Sequence, residues 1–303
     1  MAVAFPEVRV GEPVRYEALS VFPLFSGVES PVEYLLSDEG IGSGCVTVEE
    51  VSEGGSVPNL LVENKGDIRI LFIEGEELVG AKQNRVLNTS VLIAAKSRVK
   101  IPVSCVEAGR WGYRSKHFGS SGSHSPSKLR SVLKMSVSDS LRLSGSHQSD
   151  QSKVWAEVAR QQESLGTSSG TRAMSDTFEN YKDRVAEFQG KLKYVEGASG
   201  VAVAIGKKIV AVDMFDKSST CQKVWNRLLS GFVLDALEAK SDETQVSAAD
   251  VQAMIGTASS MSWVKAEPVG EGEEYRGQSG ADVHASALTF HESPVHLSVV
   301  TAG

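Results

Sequence analysis

The densest set of reactive side chains in this sequence lies between residues 68 and 114, where apolar runs alternate with carboxylate, amide, guanidinium, thiol and indole groups. Polar side chains concentrated between strand-like runs usually line a site rather than an ordinary surface. The segment has neither the glycine pattern of a phosphate-binding loop nor that of a dinucleotide-binding turn. It therefore indicates where binding or chemistry occurs without specifying the reaction.

The first candidate group lies in the connection between two apolar strands, GEELVGAKQNR at residues 75–85. Lysine and arginine beside amides suit a diphosphate together with a sugar or a base edge. Carboxylates beside a diphosphate could position water or suit Mg²⁺, which prefers oxygen ligands. An ordinary charged hairpin loop is the alternative. The candidates are, in chain order, Glu76, Glu77, Lys82, Gln83, Asn84 and Arg85.

The second group begins with a carboxylate at the end of a strand. Residues 98–107 alternate, so Glu107 shares a face with Cys105 and the apolar residues if the strand continues. A buried, unpaired carboxylate is too costly to keep, and Arg110 or Lys82 could pair with it. If the strand instead ends at Cys105, Glu107 turns to solvent.

Aromatic residues follow this strand and offer a stacking surface. Trp111 or Tyr113 could stack on a nucleobase beside Arg110, or an aromatic here could simply cap the core. Cys105 has core-like parity and no histidine nearby in sequence, which indicates a buried, inert thiol rather than a nucleophile.

Metal and hydrolase signatures are weak along the whole sequence. His117, His124 and His147 fall in a serine-rich segment and are expected to be solvated, and the C-terminal histidines lack the spacing of a zinc site. No Ser-His-Asp order and no G-x-S-x-G turn can be read. We expect no metal site formed by protein side chains alone. A Mg²⁺ ion that binds together with a diphosphate remains an alternative.

The elements that must position these groups are strands first and helices later. Strand-like runs fill residues 14–111, separated by Gly, Pro, Asn and Asp clusters typical of antiparallel turns, and Pro102 indicates an edge or a bulge. Residues 115–150 hold 13 serines in 36 positions, and 119–127 and 144–150 are interpreted as flexible loops around a helix. Further helices are predicted over 149–165, 175–192 and 218–239, with a hairpin over 201–215 and strands towards the C-terminus.

Composition and charge limit the class of protein. The chain of 303 residues is 41% hydrophobic and 23% charged, as expected of a globular protein. Its first residues lack the basic-then-apolar pattern of a signal peptide, no apolar run is long enough for a membrane span, and the number of cysteines, three, is odd. We therefore expect a reduced, cytoplasmic protein. Residues 1–80 carry a net −11 and residues 81–142 a net +10. The basic segment could focus an anionic ligand, or the two segments could neutralise each other. The net charge of −7 argues against nucleic acid as a partner.

Two long segments, GEELVGAKQNRVLN and IPVSCVEAGRW, resemble the core motifs of a poorly characterised bacterial family. That family is named for its genomic association with ADP-ribosylglycohydrolases and rhodanese-like phosphatases. QSKVW, VDMF and KVWNRLLSGFVLDAL are similar to later blocks of the family, so the resemblance runs from about residue 14 to 300. It implies a context of NAD-derived nucleotides and ADP-ribosylation, and it supplies no settled reaction.

These observations lead to one structural expectation. We expect an α+β fold with a largely antiparallel sheet or sandwich, a helical insertion and one long packed helix. A single domain over residues 1–303 is expected, with the serine-rich and helical insertion at about 115–195.

The functional expectation is binding or processing of an ADP-ribose-like nucleotide. Lys82 and Arg85 would hold the diphosphate beside Arg110, Gln83 and Asn84 the ribose or base, and Trp111 would stack. The alternative is a non-catalytic interaction module that contacts proteins of an ADP-ribosylation system. The candidate catalytic carboxylates are Glu76, Glu77 and Glu107.

Overall fold

The computed structural model describes residues 3, 5–52, 54–56, 58–239 and 245–302, and it has the predicted α+β class. The helices within these ranges are α1 Ser37–Gly42, α2 Ser127–Ser144, α3 Gln151–Ser164, α4 Met174–Asn180, α5 Lys182–Lys191, α6 Ser218–Glu238 and α7 Ala248–Ser260. The strands are β1 Arg9–Val10, β2 Val14–Tyr16, β3 Leu19–Phe25, β4 Tyr34–Leu36, β5 Val46–Glu50, β6 Asn59–Asn64, β7 Arg69–Phe72, β8 Glu76–Gly80, β9 Arg85–Leu87, β10 Val91–Ile93, β11 Ser97–Cys105, β12 Phe118–His124, β13 Gly200–Ile205, β14 Lys208–Phe215, β15 Ser262–Ala266, β16 Glu273–Ser279, β17 Val283–Phe290 and β18 Ser293–Thr301.

A nine-stranded antiparallel sheet joins the two ends of the chain, with the order β1-β3-β13-β14-β18-β17-β16-β15 and β2 beside β3. Both faces are covered, so strands such as GVAVAI in β13 are apolar at every position rather than at alternate ones. Val201 and Val203 face α5 and α6, whereas Ala202 and Ala204 face α7. The C-terminal strands therefore complete the sheet that the N-terminal strands begin.

A second sheet has six strands in the order β12-β8-β9-β11-β6-β5, and a three-stranded sheet, β10-β7-β4, lies beside it. Strand β11 changes partners along its length: residues 97–102 pair with β6, and residues 103–105 pair with β9. Pro102 stands at the change, where the ladder is interrupted and a missing N–H costs least. This arrangement brings the β8–β9 turn next to the end of β11.

The long amphipathic helix α6 lies between these layers and contacts both the nine-stranded sheet and β12. Gly231 permits the close approach to β12, because a Cβ atom there would lie 2.5 Å from the carbonyl oxygens of His124 and Ser125. Helix α2 packs on β17 and β18 and carries the fully buried cations Arg130 and Lys134 towards the sheet.

The serine-rich segment differs from the sequence expectation. Residues 119–127, interpreted as a flexible loop, largely form β12, which pairs with β8. This strand forms through backbone pairing with β8. Serines contribute little apolar area, so the sequence pattern of the segment does not show the pairing. His124 is buried rather than solvated, and His147 is mostly buried against Glu274, with 2.9 Å between Nε2 and Oε2.

The helices lie close to their predicted positions, with one exception. The helix predicted over 175–192 is two helices, α4 and α5, which meet at Tyr181. In the part of the chain that the structure describes, no helix is long and apolar enough to span a membrane.

Candidate functional site

The β8–β9 turn, residues 81–84, lies against the segment that follows β11, and one guanidinium group holds them together. Arg110 Nη1 donates to the carbonyl oxygen of Ala81 at 2.6 Å, and Nη2 donates to Oδ1 of Asn84 at 3.2 Å. Gly80 and Ala81 have positive φ values of 130° and 35°. A positive φ is unfavourable for a residue other than glycine, so the conformation of Ala81 needs support from contacts such as those of Arg110. The two segments that the sequence analysis singled out therefore do lie together.

Glu107 is fully buried and its carboxylate is fully used. It accepts hydrogen bonds from Nη2 of Arg110 at 2.6 Å, from Nε of Arg110 at 2.8 Å, from Oγ1 of Thr171 at 2.8 Å and from the backbone N–H of Asn84 at 3.0 Å. Burial raises the pKa of Glu107, but the hydrogen bonds from Arg110 and Thr171 outweigh it and hold the pKa below its ordinary value. Strand β11 ends at Cys105, as one of the two alternatives predicted. That alternative also placed Glu107 in solvent, and this part is wrong, because Glu107 is buried against Arg110.

The amide side chains of the turn are also occupied by the protein itself. Gln83 Nε2 donates to the carbonyl oxygen of Glu107 at 3.0 Å, while its Oε1 accepts from Nη1 of Arg85 at 3.0 Å and from Sγ of Cys105 at 3.2 Å. Asn84 Nδ2 donates to Oγ of Ser175 at 3.0 Å. Burial raises the pKa of Cys105, which is an inert core thiol in this arrangement.

Arg85 is fully buried and its guanidinium group is only partly satisfied. Its Nη2 lies 3.9 Å from Oε1 of Glu50 on β5, and neither Nε nor Nη2 makes a hydrogen bond. Oε2 of Glu50 is also buried without a hydrogen-bond partner. Burial lowers the pKa of Arg85, with Glu50 and Glu107 acting in the opposite direction. Arg85 therefore affects its surroundings mainly through its positive charge, and it lies beside the buried carboxylate of Glu50.

Lys82 and two aromatic rings form the outer layer of this region. The ammonium group of Lys82 lies 5.2 Å from the ring centroid of Trp111 and 5.1 Å from that of Tyr113, both within cation–π range. Trp111 is 52% exposed and Tyr113 is 56% exposed, so most of each ring is open to solvent. Such rings beside a cation can accept a base by stacking.

A surface groove of about 830 Å³ adjoins these rings. Its cations are Arg114 and Lys116, and its carboxylates are Glu49 and Glu50. The residues that line it are Glu49, Glu50, Val51, Ser52, Tyr113, Arg114, Ser115 and Lys116. We call this groove, together with Lys82 and Trp111, the aromatic groove.

Glu76 and Glu77 do not line the aromatic groove, because β8 turns their side chains elsewhere. Glu76 lies 2.8 Å from Nη2 of Arg227 and accepts a hydrogen bond from Oγ of Ser37 at 2.6 Å. Glu77 lines a separate pocket beside β12 and α4. Of the three candidate catalytic carboxylates, none lines the aromatic groove.

The structure adds residues that local sequence reasoning missed. Arg114, Lys116 and Glu50 were not among the candidates, and Glu50 lies more than 30 positions before Arg85 in the chain. The basic character of the segment after Trp111 was a usable signal for the first two. Nothing local could have pointed to Glu50, because only the pairing of β5 within the sheet brings it there.

A buried polar network elsewhere contains a serine, a histidine and an aspartate in contact. Ser90 Oγ lies 2.8 Å from Nδ1 of His296, and Nε2 of His296 lies 3.3 Å from Oδ1 of Asp213. All three are buried, and Arg130 binds both oxygens of Asp213 at 2.5 and 2.8 Å. The arrangement joins α2 to the nine-stranded sheet. Within the described residues, no group of histidine, cysteine, aspartate and glutamate side chains could hold a metal ion.

Comparison with known proteins identifies a family. A family model described as the ARG and Rhodanese-Phosphatase-superfamily-associated Protein domain matches residues 7–300. No curated protein and no solved structure matches the chain.

Proposed function

Because the chain belongs to the ARG and Rhodanese-Phosphatase-superfamily-associated protein family, whose name links it to ADP-ribosylglycohydrolases, we propose that the aromatic groove binds an ADP-ribose-like nucleotide. One observation carries this proposal. Two rings that are 52% and 56% exposed share one lysine, next to a groove with two further cations. Exposed aromatic surface of this kind is typical of a stacking platform.

The base would stack on Trp111 or Tyr113, and the diphosphate would lie towards Arg114 and Lys116. Basic side chains at a groove rim attract an anion at long range and pair with it at short range. Lys82 and Arg85, which are buried, would add to the positive electrostatic potential in the groove. Glu49, in the same groove, offers a carboxylate acceptor for ribose hydroxyls.

Gln83, Asn84, Arg110 and Glu107 take a supporting role in this proposal. Their polar atoms bind one another and the turn backbone, so they fix the position of Lys82 and Trp111 rather than contact the ligand. Since the three candidate catalytic carboxylates do not line the groove, binding is favoured over turnover. A binding role also agrees with an association with proteins of ADP-ribosylation, which the family name suggests.

Isothermal titration calorimetry with ADP-ribose, ADP and NAD tests the proposal. We expect Trp111→Leu to weaken binding roughly 5- to 150-fold, since stacking of a base is worth about 1–3 kcal/mol. Trp263→Leu in β15 changes the same residue type far from the groove and should leave the affinity unchanged. Absence of binding heat with all three nucleotides at millimolar concentration would overturn the proposal.

A further inference from the structure

A second pocket, of about 450 Å³, lies on the other side of the β8–β9 hairpin, between β8 and β12 on one side and α4 and α5 on the other. This volume falls within the range of roughly 300–1,000 Å³ that small-molecule pockets occupy. The residues that line it are Glu77, Val79, Ser120, Ser121, Ser123, Ser175, Asp176, Phe178, Glu179, Lys182 and Val185. None of them lines the aromatic groove.

Glu77 is the unusual member of this lining. It is only 1% exposed, and neither of its carboxylate oxygens makes a hydrogen bond of good geometry. An ionised carboxylate buried in this way would cost several kcal/mol. A neutral carboxylic acid costs far less, and it carries one O–H donor, with the hydroxyl of Ser121 and the backbone of Ser175 as neighbours.

The surroundings of Glu77 favour its neutral form. Burial, together with repulsion from Glu107 and Asp176, raises the pKa of Glu77 to about 8. The hydroxyl of Ser121 and the backbone of Ser175 act in the opposite direction and do not compensate.

The other charged groups of the pocket come from α4 and α5. Asp176 and Glu179 lie on α4, and Lys182 begins α5. Lys182 and Glu179 form an ion pair with each other at the exposed rim, and Asp176 accepts a hydrogen bond from the hydroxyl of Ser169. The lining therefore places no unpaired cation beside Glu77 among the described residues.

The remaining lining combines hydroxyl groups with one apolar surface. Ser120, Ser121, Ser123 and Ser175 can each donate and accept a hydrogen bond. Phe178 and Val185 provide an apolar surface beside them. A ring with hydroxyls along its edge and C–H groups on its faces matches this combination, whereas a phosphate or a bare cation does not.

We propose that this pocket is a second ligand site, which binds a neutral polyhydroxylated molecule of sugar size, with the buried acid of Glu77 donating a hydrogen bond to it. The site is independent of the aromatic groove. It needs no metal ion and no covalent step.

Ligand-observed saturation-transfer NMR tests the site on the full chain, with D-ribose, D-glucose and xylitol as probes at pH 6. We expect transfer to at least one probe in the wild-type protein. Glu77→Leu, which removes the donor, and Ser121→Phe, which fills the pocket, should each abolish the transfer. Glu163→Gln, on the exposed surface of α3, should retain it and is the matched control.

A pH series separates the proposed donor from a general effect of the pocket. Wild-type binding should weaken about tenfold one pH unit above the midpoint of the Glu77 titration, because only about one tenth of the acid is then protonated. Glu77→Gln keeps a neutral donor at every pH, so its binding should not change between pH 6 and pH 9. Circular dichroism at both pH values verifies that each variant is folded.

Three results would overturn the inference. One is the absence of transfer to every probe at pH 6, and another is equal transfer in the Ser121→Phe variant. The third is Mn²⁺ binding that Glu77→Gln abolishes, which would make the pocket a cation site. Nucleotide binding that depends on Trp111 should be unaffected by Glu77→Leu, so failure here and failure of the nucleotide proposal are distinguishable.

Discussion

At the scale of single residues, the region of the aromatic groove depends on one ion pair. Arg110 and Glu107 are joined by two hydrogen bonds of 2.6 and 2.8 Å in the interior, and the same guanidinium group binds carbonyl oxygens of the β8–β9 turn. A bidentate pair of this kind fixes orientation as well as distance. The pair therefore fixes the position of the β8–β9 turn relative to the segment that follows β11.

Arg110→Met is expected to lower the free energy of unfolding by about 3–5 kcal/mol, because it leaves the Glu107 carboxylate buried without its charge partner. Urea denaturation followed by circular dichroism measures the change. Arg114→Met, whose guanidinium group lies 3.9 Å from Glu107 and is exposed, should cost less than about 1 kcal/mol. Equal effects of the two substitutions would contradict this role of Arg110.

At the scale of elements, helix α2 is attached to the sheets by cations that point inward. Lys134 Nζ donates to both oxygens of Glu74 at 2.6 and 2.8 Å and to Oγ of Ser286 on β17 at 2.7 Å. Burial raises the pKa of Glu74, but the charges of Lys134 and neighbouring arginines hold it at about 2. Helix α2 thus joins the segment before β8 to the nine-stranded sheet.

Lys134→Met should therefore destabilise the protein by about 3–5 kcal/mol, since it leaves the Glu74 carboxylate without its ammonium partner. Lys128→Met on the same helix is the matched control. Its partially exposed pair with Glu238, at 2.7 Å, should contribute no more than about 1 kcal/mol. Chemical denaturation of both variants at neutral pH checks the difference, and a small effect of Lys134→Met would show that α2 is held by apolar packing alone.

At the scale of the whole molecule, buried acids make stability depend on pH. Burial raises the pKa of Glu77 to about 8, that of Asp235 to about 7 and that of Asp216 to about 6. The unfolded-state values are about 4. Because the folded state binds these protons more tightly, the stability they contribute is fully present below about pH 4 and is lost as the pH rises through 6 to 8.

We expect the free energy of unfolding to fall between about pH 5 and pH 8. The slope is up to about 1.4 kcal/mol per pH unit for each proton that the folded state holds and that unfolding releases. Glu77→Gln should remove the part of this slope nearest pH 8. Denaturant titrations at several pH values measure it. A stability that rises over this interval, or a slope that Glu77→Gln leaves unchanged, would contradict the assignment.

The sequence by itself determined the elements that have a clear apolar pattern, because apolar periodicity is a local property. The seam of α6, the alternation of β11 and the hairpin of β13 and β14 lie where the pattern predicts them. The two segments that it singled out, residues 82–85 and 107–111, do lie together. The α+β class followed from the same patterns.

Only the tertiary structure decided which of these side chains remain available to a ligand. The pairing of β5, β6 and β11 places Glu50 against Arg85, and the pairing of β12 with β8 encloses Glu77, across sequence separations that no local pattern encodes. A carboxylate or a guanidinium group is reactive or structural according to its partners and its exposure, and folding sets both. Glu107 and Glu77 are the same residue type and both are buried. Hydrogen bonds from Arg110 and Thr171 hold the pKa of Glu107 below its ordinary value, whereas burial without such a cation raises the pKa of Glu77.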